Sequence, residues 1–435
     1  MIKRRATLHL IVLFVVCGTV TSQPLPELLR SELQRVLDSM RIAHGIPGIS
    51  AGLLLPGHEM WQGTSGGSHP GLPVSPAMLF GIGSNSKLFT AAAVLKCVES
   101  GLLTLEDSLH SRLPAFKHID ANITIRQLLN HTSGLADINE ITGYPDTILK
   151  NPERVFTREE VLSWIGPPHF PAGTSWGYCN TNYLLAGMIV ERATGRPFSR
   201  FLRDSILTPL QLDSTFLPID EALDGIIAHP WANGGNVNAT SRNSLLSAAW
   251  TAGAMYSTSS EMLQWYAALL SGKVLGSTSL REMTTFVGSG NYGFGIAEKI
   301  LNRRVVWQHG GSIRGYSSQM MYDVSSGAVI CVLTNATPAP AALVALQLHA
   351  ALAETISTTT ESVADRGFVM TIHPNPAVNI IHIGHIDGFF SISDILGRMR
   401  YSGFANGNIR LDVSDWPDGI YLLRGSAGTR RFLKL

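Results

Sequence analysis

Between Lys87 and Ser100 the chain reads as a helix in which Leu88, Ala91, Ala92, Leu95 and Val98 leave little polar surface, stopped by Gly101. A helix that is apolar on most of its faces has to be buried on most of them. The rest of the chain must therefore build layers around it. Its 435 residues exceed one average domain and allow a sizeable core, so a large domain and a smaller one are expected.

The elements that could do the wrapping are visible on both sides. Leu29, Leu33, Val36, Leu37 and Met40 share one helical face that ends near Gly45. Ile49 to Leu55 then reads as a strand, and Pro56-Gly57-His58 as the turn of a hairpin. Further on, Val305 to Trp307, Ser318 to Tyr322 and Ala328 to Thr334 read as strands, and Ala341 to Glu354 as a closing helix. Strands at both ends with helices between them predict an α+β or mixed α/β fold.

The ends of the chain have a different character. Residues 1–22 carry Lys3, Arg4 and Arg5, then an apolar stretch from about Leu10 to Cys17, then small residues, which is the pattern of a secretory signal cut after Ser22. The run is too short for a membrane-spanning helix, and no later segment is long enough. Removing the signal takes the formal charge from +1 to −2, and such a chain has no electrostatic footprint for nucleic acid. Cys97, Cys179 and Cys331 remain, with no metal-ligand spacing, and buried thiols are expected. The stretch 356–370, with Ser357-Thr358-Thr359-Thr360-Glu361-Ser362, has neither helical nor strand period and reads as a linker. Beyond it, short runs at Asn379 to Ile383, Phe389 to Ser393, Asn408 to Val413 and Ile420 to Arg424 alternate with Asn, Gly and Pro turns, as in a small all-β sandwich.

The candidate chemistry sits at the head of the buried helix. Ser84 and Lys87 are the chain's one Ser-x-x-Lys pair, placed where the extended stretch Phe80-Gly81-Ile82-Gly83 meets the helix. Residues i and i+3 share a helical face, so the amine can lie beside the hydroxyl. Burial would lower the lysine pKa enough for it to accept a proton. The free backbone N–H groups of the helix start suit an oxyanion on an acylated serine.

Three segments in order then carry a resemblance. Phe80 to Thr90, FGIGSNSKLFT, looks like the first motif of the serine β-lactamase and penicillin-binding-protein superfamily. Ile123 to Asp137, ITIRQLLNHTSGLAD, and Pro171 to Asn182, PAGTSWGYCNTN, resemble the segments that follow it in the branch nearest class C β-lactamases, the latter with its Tyr-x-Asn motif. Ala252 to Ser257 and Tyr292 to Gly295 resemble later landmarks, and His309-Gly310-Gly311 stands where the third motif belongs. The similarity spans about residues 27 to 354. It implies a β-lactamase/transpeptidase-like mixed antiparallel sheet with a helical subdomain and the active site between them. It also implies acyl transfer with Ser84 as nucleophile and Lys87 and Tyr178 sharing the proton work. Asn180, His309, Gly310 and Gly311 would bind substrate, and the backbone N–H groups of Ser84 and Ser312 would hold the oxyanion. Lysine and phenol in contact titrate together, so which of them is the base stays open at this point. No cofactor and no metal are expected, because no His or Cys spacing suits one.

The chain departs from the pattern at the third motif, where most penicillin-binding proteins have lysine. His309 is a weaker anchor for a substrate carboxylate, and esterases and D-aminopeptidases of the superfamily commonly carry such replacements. The expected activity is hydrolysis of small esters, amides or peptides. A β-lactamase or D-alanyl-D-alanine carboxypeptidase is the alternative within enzymes, and an inactive binding protein with the same cleft is the alternative outside them. The other histidines, His44, His131 and His229, read as structural.

Residues 371–435 resemble a second family, the C-terminal sorting domain of type IX secretion. The carrying residues are His373-Pro374-Asn375-Pro376-Ala377, Asp394-Ile395-Leu396-Gly397-Arg398, Asp418-Gly419-Ile420-Tyr421 and the basic end Lys434-Leu435. The expected organisation is a signal at 1–22, a hydrolase domain at 23–355, the linker at 356–370 and the sorting domain at 371–435. The type IX machinery is the expected partner, and the cell surface or the medium the expected destination.

Overall fold

A computed structural model describes residues 22–141, 144–363, 370–394, 398–425 and 428–435. The expected signal, the centre of the Asp394–Arg398 motif and the end of the expected linker lie outside these residues.

Helix α1 (Glu27–Ala43) buries Leu29, Leu33 and Leu37 along one face, as the spacing predicts. Strands β1 (Gly48–Leu54) and β2 (Trp61–His69) form the expected hairpin. With β3 (Leu72–Pro73), β4 (Ala297–Leu301), β5 (Arg304–Ile313), β6 (Tyr316–Asp323) and β7 (Val329–Thr334) they make a seven-stranded antiparallel sheet, ordered β3-β2-β1-β7-β6-β5-β4. The first and last parts of the hydrolase region thus meet at the β1–β7 ladder, where Ala51 faces Val332.

Both faces of the sheet are covered, so its central strands read as continuous apolar runs rather than alternating ones. Ile49, Ala51, Leu53, Ile330 and Val332 pack against α1 and against α7 (Ala341–Val363). Val329, Cys331 and Leu333 face the opposite way, into the larger core. That core is built on the apolar helix, α2 (Ser86–Glu99), whose residues Ser86 to Leu95 are all buried. Around it pack the short α3 (Ile125–Leu129), α4 (Thr181–Thr194), α5 (Asn243–Gly253) and α6 (Ser259–Leu270). The fold is therefore mixed α/β, an antiparallel sheet with α1 and α7 on one face and the larger helical layer built on α2 on the other.

Two expectations are corrected. The closing helix does not stop at Glu354 but runs through the Ser/Thr stretch to Val363, so part of the expected linker is helical. In the C-terminal region, the runs at 379–383 and 389–393 belong to one long strand. The strands there are β8 (Thr371–His373), β9 (Ile380–Asp394), β10 (Met399–Asp412), β11 (Gly419–Gly425) and β12 (Gly428–Lys434). A register shift between Ile383 and Ile386 marks a bulge, which bends β9 and lets its two halves pair with β8 and β11 in turn. Ile381, Ile383, Phe390, Ile392, Tyr421, Leu423 and Phe432 form a core of their own. Cys97, Cys179 and Cys331 are free and buried, as expected.

Candidate active site

A short 3-10 turn, Gly83–Asn85, joins the Phe80–Gly81 strand to α2 and sets Ser84 at the mouth of the cleft. The turn is pinned from behind: Asn85 Nδ2 donates to Ser318 Oγ at 2.8 Å, and Ser318 Oγ donates to Ile82 O at 2.7 Å. Gly83 has φ +53, and a Cβ there would lie 2.5 Å from Ser312 N. Only glycine lets the turn approach β5 this closely. The approach sets the turn that carries Ser84 against β5 at Ser312.

One turn into α2, Lys87 is fully buried, and its Nζ meets three oxygens: Ser84 Oγ at 3.1 Å, Asn180 Oδ1 at 2.7 Å and Ala252 O at 2.7 Å. Two of these can only accept. A neutral amine has two N–H bonds and one lone pair, so it satisfies both acceptors and turns its lone pair to the serine O–H. Burial lowers the lysine pKa to about 7, against the opposing pull of the Asp137 carboxylate. The amine is thus near the point at which it can take a proton at neutral pH.

Asn180 is the residue preceding α4, the position from which an asparagine side chain ordinarily caps the helix. Here it makes no cap bond. Its Oδ1 receives Lys87, and its Nδ2 donates to Asp137 Oδ2 at 2.9 Å and Oδ1 at 3.2 Å, while its backbone N–H donates to Asp137 Oδ2 at 2.8 Å. The carboxylate on one side and the Lys87 N–H donor on the other together fix the orientation of the amide.

Tyr178 reaches Ser84 by its hydroxyl, and burial of that end pushes the phenol pKa well up. The residue as a whole remains 37% exposed along the cleft. Lys87 Nζ lies 4.9 Å from the ring centroid, and the His131 ring backs it at 4.4 Å. His131 Nδ1 accepts from Cys179 N and from Asn182 Nδ2, so its proton is on Nε2, which has no partner among the described residues.

His309 behaves differently from the sequence expectation. It is only 7% exposed and lies behind the cleft. Its Nδ1 donates to Gly310 O at 2.6 Å, which leaves Nε2 to accept from the Tyr292 hydroxyl at 2.7 Å. Burial first, and the Lys87 charge second, lower its pKa to about 3. The imidazole is therefore neutral. Of the neighbouring β5 residues, Gly310, Gly311, Ser312 and Ile313 line the cleft and His309 does not.

The cleft, about 920 Å³, is lined by Ser84, Tyr178, Asn180, Gly310, Gly311 and Ser312 among others. Asp137, Glu140 and Arg314 also line it. Sequence reasoning singled out none of these three, although Asp137 is the last residue of the second resembling segment. No group of His, Cys, Asp or Glu among the described residues is arranged to hold a metal ion.

Residues 29–354 match the beta-lactamase family. The chain belongs to that family. Ser84, Lys87, Tyr178, Asn180 and His309 all lie within the matched residues. Residues 371–434 match the secretion system C-terminal sorting domain, which indicates export by type IX secretion to the cell surface or beyond. No helix among the described residues is long and apolar enough to cross a membrane.

Among curated relatives, Penicillin-binding protein 4 of Amycolatopsis lactamdurans is 34% identical over 199 residues, which is 44% of this chain and 50% of that protein. Penicillin-binding protein 4* of Bacillus subtilis (strain 168) is 32% identical over 33% of this chain and 31% of its own. The matches thus span half or less of these relatives. Solved structures align more fully. The D-stereospecific amidohydrolase from Streptomyces sp. is 30% identical with a TM-score of 0.66, over 73% of this chain and 97% of that one. The D-amino acid amidase from Ochrobactrum anthropi SV3, solved with L-phenylalanine amide, is 26% identical with a TM-score of 0.67, over 75% and 99%.

Proposed function

We propose that this beta-lactamase-family protein hydrolyses amides or small esters of D-amino acids through an acyl-enzyme on Ser84. The observation that carries the reading is the three-oxygen cradle of Lys87, which spends both N–H bonds on acceptors and leaves its lone pair for Ser84. The neutral Lys87 takes the Ser84 proton as Oγ attacks the substrate carbonyl. The N–H groups of Ser84 and Ser312 receive the oxyanion. As the tetrahedral species collapses, the Tyr178 hydroxyl gives its proton to the leaving amine or alcohol and is reprotonated from Lys87. Water then repeats the sequence on the ester, with the same groups in reverse.

The raised phenol and the lowered lysine support Lys87 as the resting base and Tyr178 as the proton donor. The two amidase-type neighbours support D-amino-acid amides as the substrate class. A second reading, a penicillin-reactive carboxypeptidase or β-lactamase, is favoured by the named relatives. The inward, neutral His309 weighs against it, since it offers no cation to a carboxylate on the leaving group.

The test is release of 4-nitroaniline from D-phenylalanyl-4-nitroanilide by the full chain and by Ser84→Ala. Turnover by the wild type with loss of more than 1000-fold in the variant is the expected result. Turnover that survives Ser84→Ala overturns the reading. A stable mass adduct with penicillin on wild type alone would move the second reading to the front.

A further inference from the structure

We propose that Arg314 forms a carboxylate-binding subsite for the acyl half of the substrate, so that the preferred acyl groups are acidic D-aminoacyl groups. The inference rests on the hydrolase reading above and narrows its substrate class.

The charges lining the cleft decide which groups are free to meet a ligand. Among the described residues these are Asp137, Glu140 and Arg314. Asp137 is committed to Asn180. Glu140 Oε2 is held by His169 Nε2 at 2.7 Å. Lys87 is buried behind Ser84 and fully partnered. Arg314 is part-exposed and lines the cleft, and its side chain makes no hydrogen bond or ion pair with any described residue.

Its backbone, by contrast, is held firmly. Arg314 and Gly315 form the two-residue tip between the paired Ile313 and Tyr316. Arg242 Nη1 donates to Arg314 O at 2.8 Å, and that buried guanidinium lies over the Tyr316 ring at 5.1 Å. Gly315, at φ +91, is seated so that a Cβ would lie 2.3 Å from Pro230 Cβ. A rigid tip with an unengaged planar fork is a pre-organised carboxylate receptor.

The direction of the substrate follows from the proton donor. Tyr178 serves the leaving group, and its ring lies 6.2 Å from that of His309, at the start of the cleft-facing part of β5. Ser312 holds the oxyanion further along the strand. The acyl half therefore continues past Ser312 toward the hairpin tip that carries Arg314. That placement suits a carboxylate at the end of a short acyl side chain. Gly310, Gly311, Ser312, Ile313 and Arg314 line the cleft in succession, whereas His309 does not. The cation missing from the leaving-group side is thus present on the acyl side.

The test compares two isosteric substrates with the full chain: D-glutamyl-4-nitroanilide and D-glutaminyl-4-nitroanilide, which differ in a carboxylate against a carboxamide. Wild type is expected to favour the glutamyl substrate by about tenfold in kcat/KM, with the preference falling as salt rises. Arg314→Gln should bring the ratio to about one, and Arg314→Glu should invert it. Because the readout is a ratio within each variant, loss of folded protein does not imitate it. No preference in wild type, or a preference kept in Arg314→Gln, overturns the subsite while turnover of D-phenylalanyl-4-nitroanilide leaves the hydrolase reading standing. Failure to cleave any of the three anilides overturns both.

Discussion

Asp137→Asn should move the acid limb of the pH–rate profile down rather than up. Asp137 and Lys87 are joined through the carboxamide of Asn180 by hydrogen bonds of 2.9 and 2.7 Å. Adding the width of the amide places the two charges about 7 Å apart. At an effective dielectric near 20 their attraction is then about 2 kcal/mol, equivalent to about 1.5 pH units. The negative charge favours the ammonium form, so it holds the lysine pKa up against burial, which brings it to about 7. Removing that charge lets burial act alone, and the pKa falls. Since the reaction needs the neutral amine, activity in wild type is lost as pH falls through about 7, and in the variant through about 5.5. The asparagine keeps one acceptor, for the Asn180 backbone N–H, and gives up the bond from Asn139 N, so thermal melting beside the assay reports any loss of the loop. The assay is kcat/KM for D-phenylalanyl-4-nitroanilide between pH 4 and 9, where the α-amine of the substrate, titrating at about 8, is common to both proteins and only the difference between their acid limbs is read. A limb that stays near 7, or one that rises, would refute Lys87 as the titrating base.

Two further outcomes test the frame around the site. Gly83→Ala places a methyl group 2.5 Å from Ser312 N on a backbone with φ +53. The expected result is an acylation rate down by more than 100-fold with a stability loss of about 2 kcal/mol, measured by single-turnover kinetics and thermal melting. Asp323 receives His349 Nε2 at 3.0 Å and Arg304 Nη1 at 3.2 Å, and ties α7 to the sheet. Burial alone would raise its pKa, but the hydrogen bonds from His349 and Ser325 and the Arg304 charge hold it well below the ordinary carboxylate range. Its stabilisation is present above pH 4 or so and is lost as pH falls through the depressed value. Asp323→Asn should cost about 3 kcal/mol at pH 7. The gap in Tm between the two proteins should close below about pH 4. A gap that widens in acid would refute the assignment.

What the sequence revealed depended on whether the signal was local. Ser84 and Lys87 sit on one helical turn, so their contact follows from spacing alone, and α1 and α2 followed from periodicity. Asn180 joined them through a motif. Asp137 could not be placed that way, because its contact with Asn180 spans 43 residues of chain and rests on loop geometry. His309 shows a different limit. The motif fixed its strand position, but its direction depended on the Tyr292 hydroxyl, which only the tertiary fold brings to its Nε2. Arg314 lay outside every motif, and nothing local distinguishes a free arginine from a paired one. The Ser/Thr stretch after Glu354 misled for another reason: hydroxyl residues are weak helix formers, yet a helix already propagating from Ala341 carries them to Val363.

That long helix also sets how the two halves of the molecule are plumbed together. α7 begins at Ala341 on the rim of the cleft and ends at Val363, a run of 23 residues. At 1.5 Å per residue it carries the chain about 33 Å from the rim before the sorting region begins. The helix is a spacer bar with catalysis at one end and the exit of the chain at the other. The rim of the cleft and the point where the chain leaves the hydrolase fold are thus held at opposite ends of one rigid element.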